Sequence, residues 1–183
     1  MDSLEGQFLV ATPQLLDPNF ARSVVLLIQH GEQGALGVVL NRRLEKSVAD
    51  LWKEVSTVAS ESQQQVHLGG PVTGPLMAVH TAADLAEMEI VPNVFFAAQK
   101  EHLDSLVSRP ESEFRIFLGH AGWGGGQLEG ELEAGAWLTM SASRELIFSP
   151  EENLWEAVTR RIGREFFGST LKITGFPEDP SVN

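Results

Sequence analysis

The 183-residue chain has the length of one ordinary domain, and hydrophobic residues make up 43% of it, enough to build a sizeable core. It carries 25 acidic against 13 basic residues, a formal net charge of −12, which disfavours direct binding to nucleic-acid phosphates. The absence of cysteine excludes disulfides, zinc–thiolate sites and cysteine nucleophiles. We expect one acidic domain over residues 1–183.

The N-terminal residues predict no targeting or membrane segment. Met1–Glu5 carries acidic side chains where a signal peptide carries basic ones. The longest apolar run, Val24–Ile28, is far shorter than the roughly 20 residues that cross a bilayer. We therefore expect a cytoplasmic protein that does not enter a membrane.

In chain order, Gly6–Ala11 predicts a first strand, and the turn-forming Asp17-Pro18 pair predicts a loop over Pro13–Phe20. Ser23–Gln29 and Ala35–Leu40 are apolar almost throughout, as in strands buried on both faces. The turn residues between them, 30–34, predict that the two strands form a β-hairpin.

A helix is predicted to begin after Ser47, because its hydroxyl can accept from a free backbone N–H and Asp50 lies near the positive helix end. The polar stretch Glu54–Gln65 ends that helix and starts a loop. Further strands are predicted over Val66–Gly69, Leu76–His80, Val94–Ala98, Glu113–Gly119 and Ala136–Met140. Further helices are predicted over Lys100–Ser108, Gly126–Glu133 and from Ser149-Pro150 to about Ile162, and Gly175–Asn183 is expected to be a loose tail.

The stretch Gly119–Glu129 is the most informative in the chain, since five of its first eight residues are glycine between a strand and a helix. Such a loop can present backbone N–H groups to an anion. However, no Gly-Lys-Ser/Thr follows, and Gln127 stands where a dinucleotide fold has its third glycine. We favour a structural interpretation, in which the glycines supply turns and Trp123 packs over the sheet edge.

Three of the five histidines, His30, His80 and His120, come at strand ends or at the head of the glycine stretch. They form a three-histidine site only if the fold brings them together. No His-Glu-x-x-His or other metal-binding spacing is present, so we assign no metal and no cofactor. A hydrogen-bonded structural histidine is the favoured interpretation of each.

The remaining polar candidates have ordinary structural interpretations. There is no Gly-x-Ser-x-Gly motif, and Ser23 starts a buried strand, where a hydrogen bond at the strand edge suffices. Asn41-Arg42 follows the third strand and can anchor an adjacent loop or bind an anion. Asp17 is expected to cap its own turn. Glu129, Glu131 and Glu133 are interpreted as a solvated helix face.

Taken in order along the chain, these motifs resemble the AlgH/YqgE family of bacterial proteins. The matching blocks are Gly6–Pro13, Asp17–Leu27, His30, Gly34–Arg42, Gly69–Val72, Val79-His80, Gly119–Trp123 and Gly126–Glu129. The resemblance implies an α/β (mixed α+β) fold with a bifurcated, barrel-like mixed sheet flanked by helices. It implies no agreed catalytic residue, although some members carry the label of transcriptional regulator. Arg43 stands where a proline commonly follows Asn-Arg.

Two functions follow as hypotheses. The absence of a catalytic signature and the family label favour a regulatory or ligand-binding module without catalysis, acting through a protein partner or small ligand as a monomer or homodimer. The alternative is an enzyme that uses a His/Asn/Arg cleft beside the glycine stretch. The candidate ligand-binding or family-motif residues are Arg22, Ser23, His30, Asn41, Arg42, Gly69, Gly70, His80, His120, Gly122, Trp123, Gln127 and Glu129.

Overall fold

The structure is a computed structural model that describes residues 2–171. The predicted tail, Gly175–Asn183, lies outside the described residues. Within them the strands are β1 Gln7–Ala11, β2 Val24–Gly31, β3 Gly34–Val39, β4 Arg43–Ser47, β5 Gln65–Leu68, β6 Met77–His80, β7 Met88–Val91, β8 Val94–Ala97, β9 Phe114–Leu118, β10 Ala121–Gly124 and β11 Trp137–Ser141. The helices are α1 Val48–Val55, α2 Lys100–Val107, α3 Gln127–Glu133, α4 Arg144–Ile147 and α5 Leu154–Leu171, with 3-10 turns at Ala83–Leu85 and Glu151–Asn153.

The strands form two sheets. The first has the order β10-β3-β2-β1-β11 and is antiparallel throughout. The second has the order β4-β5-β9-β6-β8-β7 and is mixed, because β5 and β9 run parallel. The two sheets are joined at the end of β3, where the Val39 N–H donates to the Gly69 carbonyl oxygen at 2.8 Å. The expected mixed α/β architecture is confirmed.

Both faces of the first sheet are buried, which explains why the sequence of β2 is apolar without alternation. One face packs against α5, whose Leu154 and Val158 are fully covered. The other face, which carries Trp123 of β10 and Trp137 of β11, packs against α3. The second sheet packs against α1 and α2 around Trp52.

Most predicted elements are confirmed, including the β2–β3 hairpin and the cap of α1, where Ser47 Oγ accepts from the Asp50 N–H at 3.1 Å. Three strands and the short α4 were missed. β4 was missed because its sequence, Arg-Leu-Glu-Lys-Ser, is that of a charged edge strand, and β10 because it is half glycine.

The last helix differs from its prediction at both ends. A 3-10 turn precedes it, and it continues nine residues past Ile162, to Leu171. The Ser149 hydroxyl donates to the Leu146 carbonyl oxygen at the end of α4.

No helix in residues 2–171 combines the length and the apolar character that crossing a membrane requires.

Candidate functional site

The glycine stretch contains a strand, β10, that pairs with β3, and its glycines allow backbone segments to pass very close together. Gly119 has φ +71° and lies across from Gly70, with φ +154°. A Cβ atom on Gly70 would lie 2.2 Å from the His120 carbonyl carbon. The bridge between Val72 and His120 completes this crossing. The favoured structural interpretation of the glycines therefore agrees with their geometry at this crossing.

Trp123 lies in β10, at the edge of the first sheet where the sequence places it, and is buried in an aromatic cluster with Phe20 and Trp137. The indole N–H groups of both tryptophans donate to one oxygen of Glu131, at 3.0 and 2.8 Å. Gln127 joins them, accepting from the Gly124 N–H at 3.0 Å. The prediction that the α3 glutamates form a solvated face is thus wrong for Glu131, since its carboxylate orients the cluster.

His30 is held in one tautomer. Its Nδ1 accepts from the Leu4 N–H at 3.0 Å, so its Nε2 carries the proton and donates to Glu129 at 2.7 Å. The Glu129 backbone N–H and the His30 ring together lower the pKa of the Glu129 carboxyl. Glu129 is therefore also not a purely solvated residue, and this pair attaches the start of α3 to the end of β2.

His80 is fully buried at the end of β6, where its Nδ1 accepts from the Ala82 N–H at 3.1 Å. Its Nε2 has no hydrogen-bond partner among the described residues. Burial lowers the pKa of His80 to about 4, against smaller opposing effects of Glu87 and Asp84, while His102 and Arg109 lower it further. The neutral ring is a structural element of the second sheet.

Acidification from pH 7 to pH 4 is expected to destabilise the fold through His80. The unfolded chain protonates this ring near its ordinary pKa of 6.5, whereas the folded chain resists protonation down to about 4. The contribution of the neutral His80 ring to the free energy of unfolding is therefore fully present above pH 6.5 and is lost as the pH falls towards 4. The total loss is about 3 kcal/mol. Urea unfolding of the wild type and of His80→Gln across this range measures it. A variant with the same pH slope as the wild type would contradict the assignment to His80.

His120 lies apart from the buried surroundings of His80, against the segment that holds Val72 and Gly74. Its backbone N–H and carbonyl both bond Val72, at 3.0 Å each. The structure does not bring His30, His80 and His120 together, and residues 2–171 contain no group of three His, Asp or Glu side chains arranged to hold a metal. The conceivable three-histidine site is therefore not formed.

Asn41 and Arg42 act as a clamp on the loop between β1 and β2, the first of the two roles expected for them. Asn41 donates to the Arg22 carbonyl oxygen at 2.9 Å and accepts from the Val24 N–H at 3.0 Å. Arg42 donates to the carbonyl oxygens of Pro18 and Ala21 at 2.9 and 3.1 Å. Burial lowers the pKa of Arg42.

The clamped loop is itself shaped by its sequence. Asp17 accepts from the Asn19 N–H at 2.8 Å, which confirms the predicted turn cap. Ser23 is fully buried, and its backbone carbonyl accepts from the Ala11 N–H at 3.0 Å. Its hydroxyl has no hydrogen-bond partner among the described residues, so the side-chain hydrogen bond expected for it is not formed. Arg22 has a left-handed backbone, φ +58°, and its guanidinium lies 4.6 Å above the Trp155 ring and pairs with Glu156.

The clamp borders two polar depressions that share Arg43, which we call together the Arg43 cleft. The larger, of about 430 Å³, is lined by Arg22, Asn41, Arg43, Glu152, Trp155 and Glu156. The smaller, of about 180 Å³, is lined by Arg43, Gln64, Gln65, His67 and Arg115. Arg115 and Trp155 are not singled out by the sequence, and Arg43 is noted there only as a departure from the family pattern, because nothing local indicates that the three converge. Of the predicted residues, only Arg22 and Asn41 line this cleft.

Comparison with known proteins agrees with the fold and with the motifs. The AlgH-like family model, DUF179, matches residues 8–166. A UPF0301 protein of Chlorobaculum tepidum is 37% identical over 97% of this chain and 95% of its own length. Another, from Streptomyces coelicolor, is 38% identical over 100% of this chain and 97% of its own.

Two solved structures share the fold. The solution structure of AlgH from Pseudomonas aeruginosa has a TM-score of 0.71 at 29% identity, covering 95% of this chain and 96% of that one. A crystal structure of a Corynebacterium diphtheriae protein has a TM-score of 0.69 at 29% identity, covering 88% and 87%. The chain therefore belongs to the AlgH-like (UPF0301) family.

Proposed function

We propose that this protein is a ligand-binding regulatory module that takes a small anion, a carboxylate or a phosphate, in the Arg43 cleft. The observation that carries the proposal is the convergence of Arg22, Arg43 and Arg115 on two adjoining depressions in a chain of net charge −12. A guanidinium presents planar, forked N–H donors that match carboxylate and phosphate oxygens.

The remainder of the lining supports a polar ligand. Side-chain amides come from Gln64 and Gln65, which can donate to an anion or accept from its hydroxyl groups. Glu152 and Glu156 also line the larger depression, where Glu156 pairs with Arg22; they would repel a bare polyanion and favour a ligand that also carries a donor. The larger depression, about 430 Å³, lies in the size range of small-molecule sites.

Catalysis is not part of the proposal. The alternative enzyme needs His30, His80 or His120 beside Asn41 and Arg42, but each of these side chains has a separate structural environment. Asn41 and Arg42 are engaged by the loop they clamp, and His30 is engaged by Leu4 and Glu129.

Thermal unfolding and calorimetric titration with orthophosphate, citrate and glycerol test the site. An anion at 100 times its Kd stabilises the folded state by about 2.7 kcal/mol, a rise of about 5–10 °C in Tm. We expect a rise with an anion and none with glycerol. Arg43→Ala is expected to abolish it, and Arg144→Ala is the control, since Arg144 lies outside the cleft and pairs with Glu113. Equal binding by Arg43→Ala and the wild type, or binding of no anion, would exclude the proposal.

Regulation through DNA contact is not favoured by the charge. A domain of net charge −12 gains little from the counterion release that drives binding to phosphates. We therefore propose that any effect on transcription passes through a ligand or a protein partner. A gel-shift titration at low salt that showed tight, sequence-specific binding would refute this part of the proposal.

A further inference from the structure

The outer face of α5 is exposed along most of its length. Leu154 and Val158 attach the first turns of the helix to the core, and Ile162 packs at its margin. Beyond that point the helix leaves the core, and the side chains of Phe166 and Phe167 are 64% and 57% exposed. Two large aromatic side chains exposed at adjacent positions of one helix indicate a contact site.

The face also carries the two unpaired cations of the described chain. Every other lysine and arginine in residues 2–171 makes an ion pair, a hydrogen bond or another polar contact. These residues are Arg22, Arg42, Arg43, Lys46, Lys53, Lys100, Arg109, Arg115, Arg144 and Arg161. Arg160 and Arg164 are exposed and have no such contact with any residue that the structure describes. With Phe167 they recur at i, i+4 and i+7, so the three lie on one face, opposite the buried stripe.

The same row continues toward the N-terminus with the opposite charge. Glu156 precedes Arg160 by four residues, and Glu152, in the 3-10 turn before α5, precedes Glu156 by four. Rows at four-residue spacing form the ridges through which helices pack. Glu156 uses one carboxylate oxygen for Arg22, and the other has no partner among the described residues. The row therefore reads acid, acid, base, base.

We propose that two copies of the protein associate through this row, with their α5 helices antiparallel about a two-fold axis. Antiparallel alignment places the acidic half of each row against the basic half of the other, and an isologous interface requires such self-complementarity. Arg–carboxylate pairs and an aromatic side chain are typical of the residues that dominate protein interfaces. A Cβ atom on Gly163, near the middle of the helix, would meet no atom within 4 Å, which leaves room for close approach.

Other occupants fit the face less well. Nucleic acid or an anionic membrane would be repelled by Glu152 and Glu156, which lie in the same row as the two arginines. The net charge of −12 on the whole chain would add to this repulsion. Two cations supply only about two counterion releases. A second copy, in contrast, complements both halves of the row at once. The row shares Glu152 and Glu156 with the Arg43 cleft, but the interface does not require an anion there.

Sedimentation of the full-length chain over a concentration series tests the association. The wild type is expected to shift from 20.0 kDa towards twice that mass, and the shift is expected to weaken with salt. Arg160→Glu with Arg164→Glu should remain monomeric, and so should Glu152→Arg with Glu156→Arg. Mixing these two double variants should restore a dimer, since one row is then wholly acidic and the other wholly basic.

Lys46→Glu with Lys53→Glu is the matched control, because it changes the net charge equally on exposed side chains far along the chain from α5. It should dimerise like the wild type. Phe167→Ala should weaken the dimer more than Phe166→Ala, which lies off the row. A wild type that stays monomeric at every concentration would overturn the proposal, as would undiminished dimerisation of Arg160→Glu with Arg164→Glu or a mixture of the two double variants that stays monomeric.

Discussion

Gly70→Ala is expected to lower the free energy of unfolding by more than 4 kcal/mol, a large part of the roughly 5–15 kcal/mol that stabilises an ordinary domain. The added Cβ would lie 2.2 Å from the His120 carbonyl carbon and 2.4 Å from the Ala121 nitrogen. Both are backbone atoms, so no side chain can move aside. The φ of +154° adds strain for any residue with a Cβ.

The cost is large because the crossing also joins the sheets. Gly69 next to it donates to the Leu118 carbonyl oxygen and accepts from the Val39 N–H, both at 2.8 Å. Denaturant unfolding followed by circular dichroism measures the loss. The control is Gly130→Ala in α3, where an added Cβ meets nothing within 4 Å and a gain of about 1 kcal/mol is expected. A Gly70→Ala protein within 1 kcal/mol of the wild type would show that the crossing can widen.

Asn41→Ala is expected to cost about 2–4 kcal/mol, because it removes the partners of two backbone groups at once. The Val24 N–H, in a fully buried residue, loses its acceptor, and the Arg22 carbonyl oxygen loses a donor. An unsatisfied buried group costs about 1–3 kcal/mol. Asn19→Ala is the matched control, since Asn19 is exposed on the same loop and contributes only its backbone N–H.

Limited trypsin digestion distinguishes loss of the clamp from general destabilisation. Without Asn41 the loop between β1 and β2 keeps only Arg42 of the two clamping side chains, so cleavage after Arg22 should accelerate under conditions in which the remainder of the chain is intact. Cleavage at the wild-type rate would mean that the remaining contacts suffice to order the loop.

The sequence predicts the elements whose signals are local. The apolar run of β2 and the turn that follows it predict the hairpin, and Ser47 with Asp50 predicts the start of α1. β10 was not recognisable, because Gly122 and Gly124 are typical of a loop and the strand exists only through pairing with β3. The charged β4 was missed for the same reason, since its pairing with β5 is not visible in its own residues.

The candidate site was less predictable than the fold. The Arg43 cleft draws its lining from the β1–β2 loop, β4, β5, β9 and the start of α5, so no motif spans it. The role of Glu131 depends on two indole N–H groups that face it only after α3 has packed on the sheet. In both cases the residue types can be read from the sequence, but tertiary packing decides in which direction their side chains point.

The place of β1 in the first sheet bears on how the protein folds while it is being synthesised. β1 pairs with β11 along its whole length, from Gln7 opposite Ser141 to Ala11 opposite Trp137. Gln7 and Ser141 are 134 residues apart, which a ribosome adds in roughly 7–27 s at 5–20 residues per second. Until then β1 presents an unpaired apolar edge to the solvent, where binding by a chaperone would protect the nascent chain from aggregation.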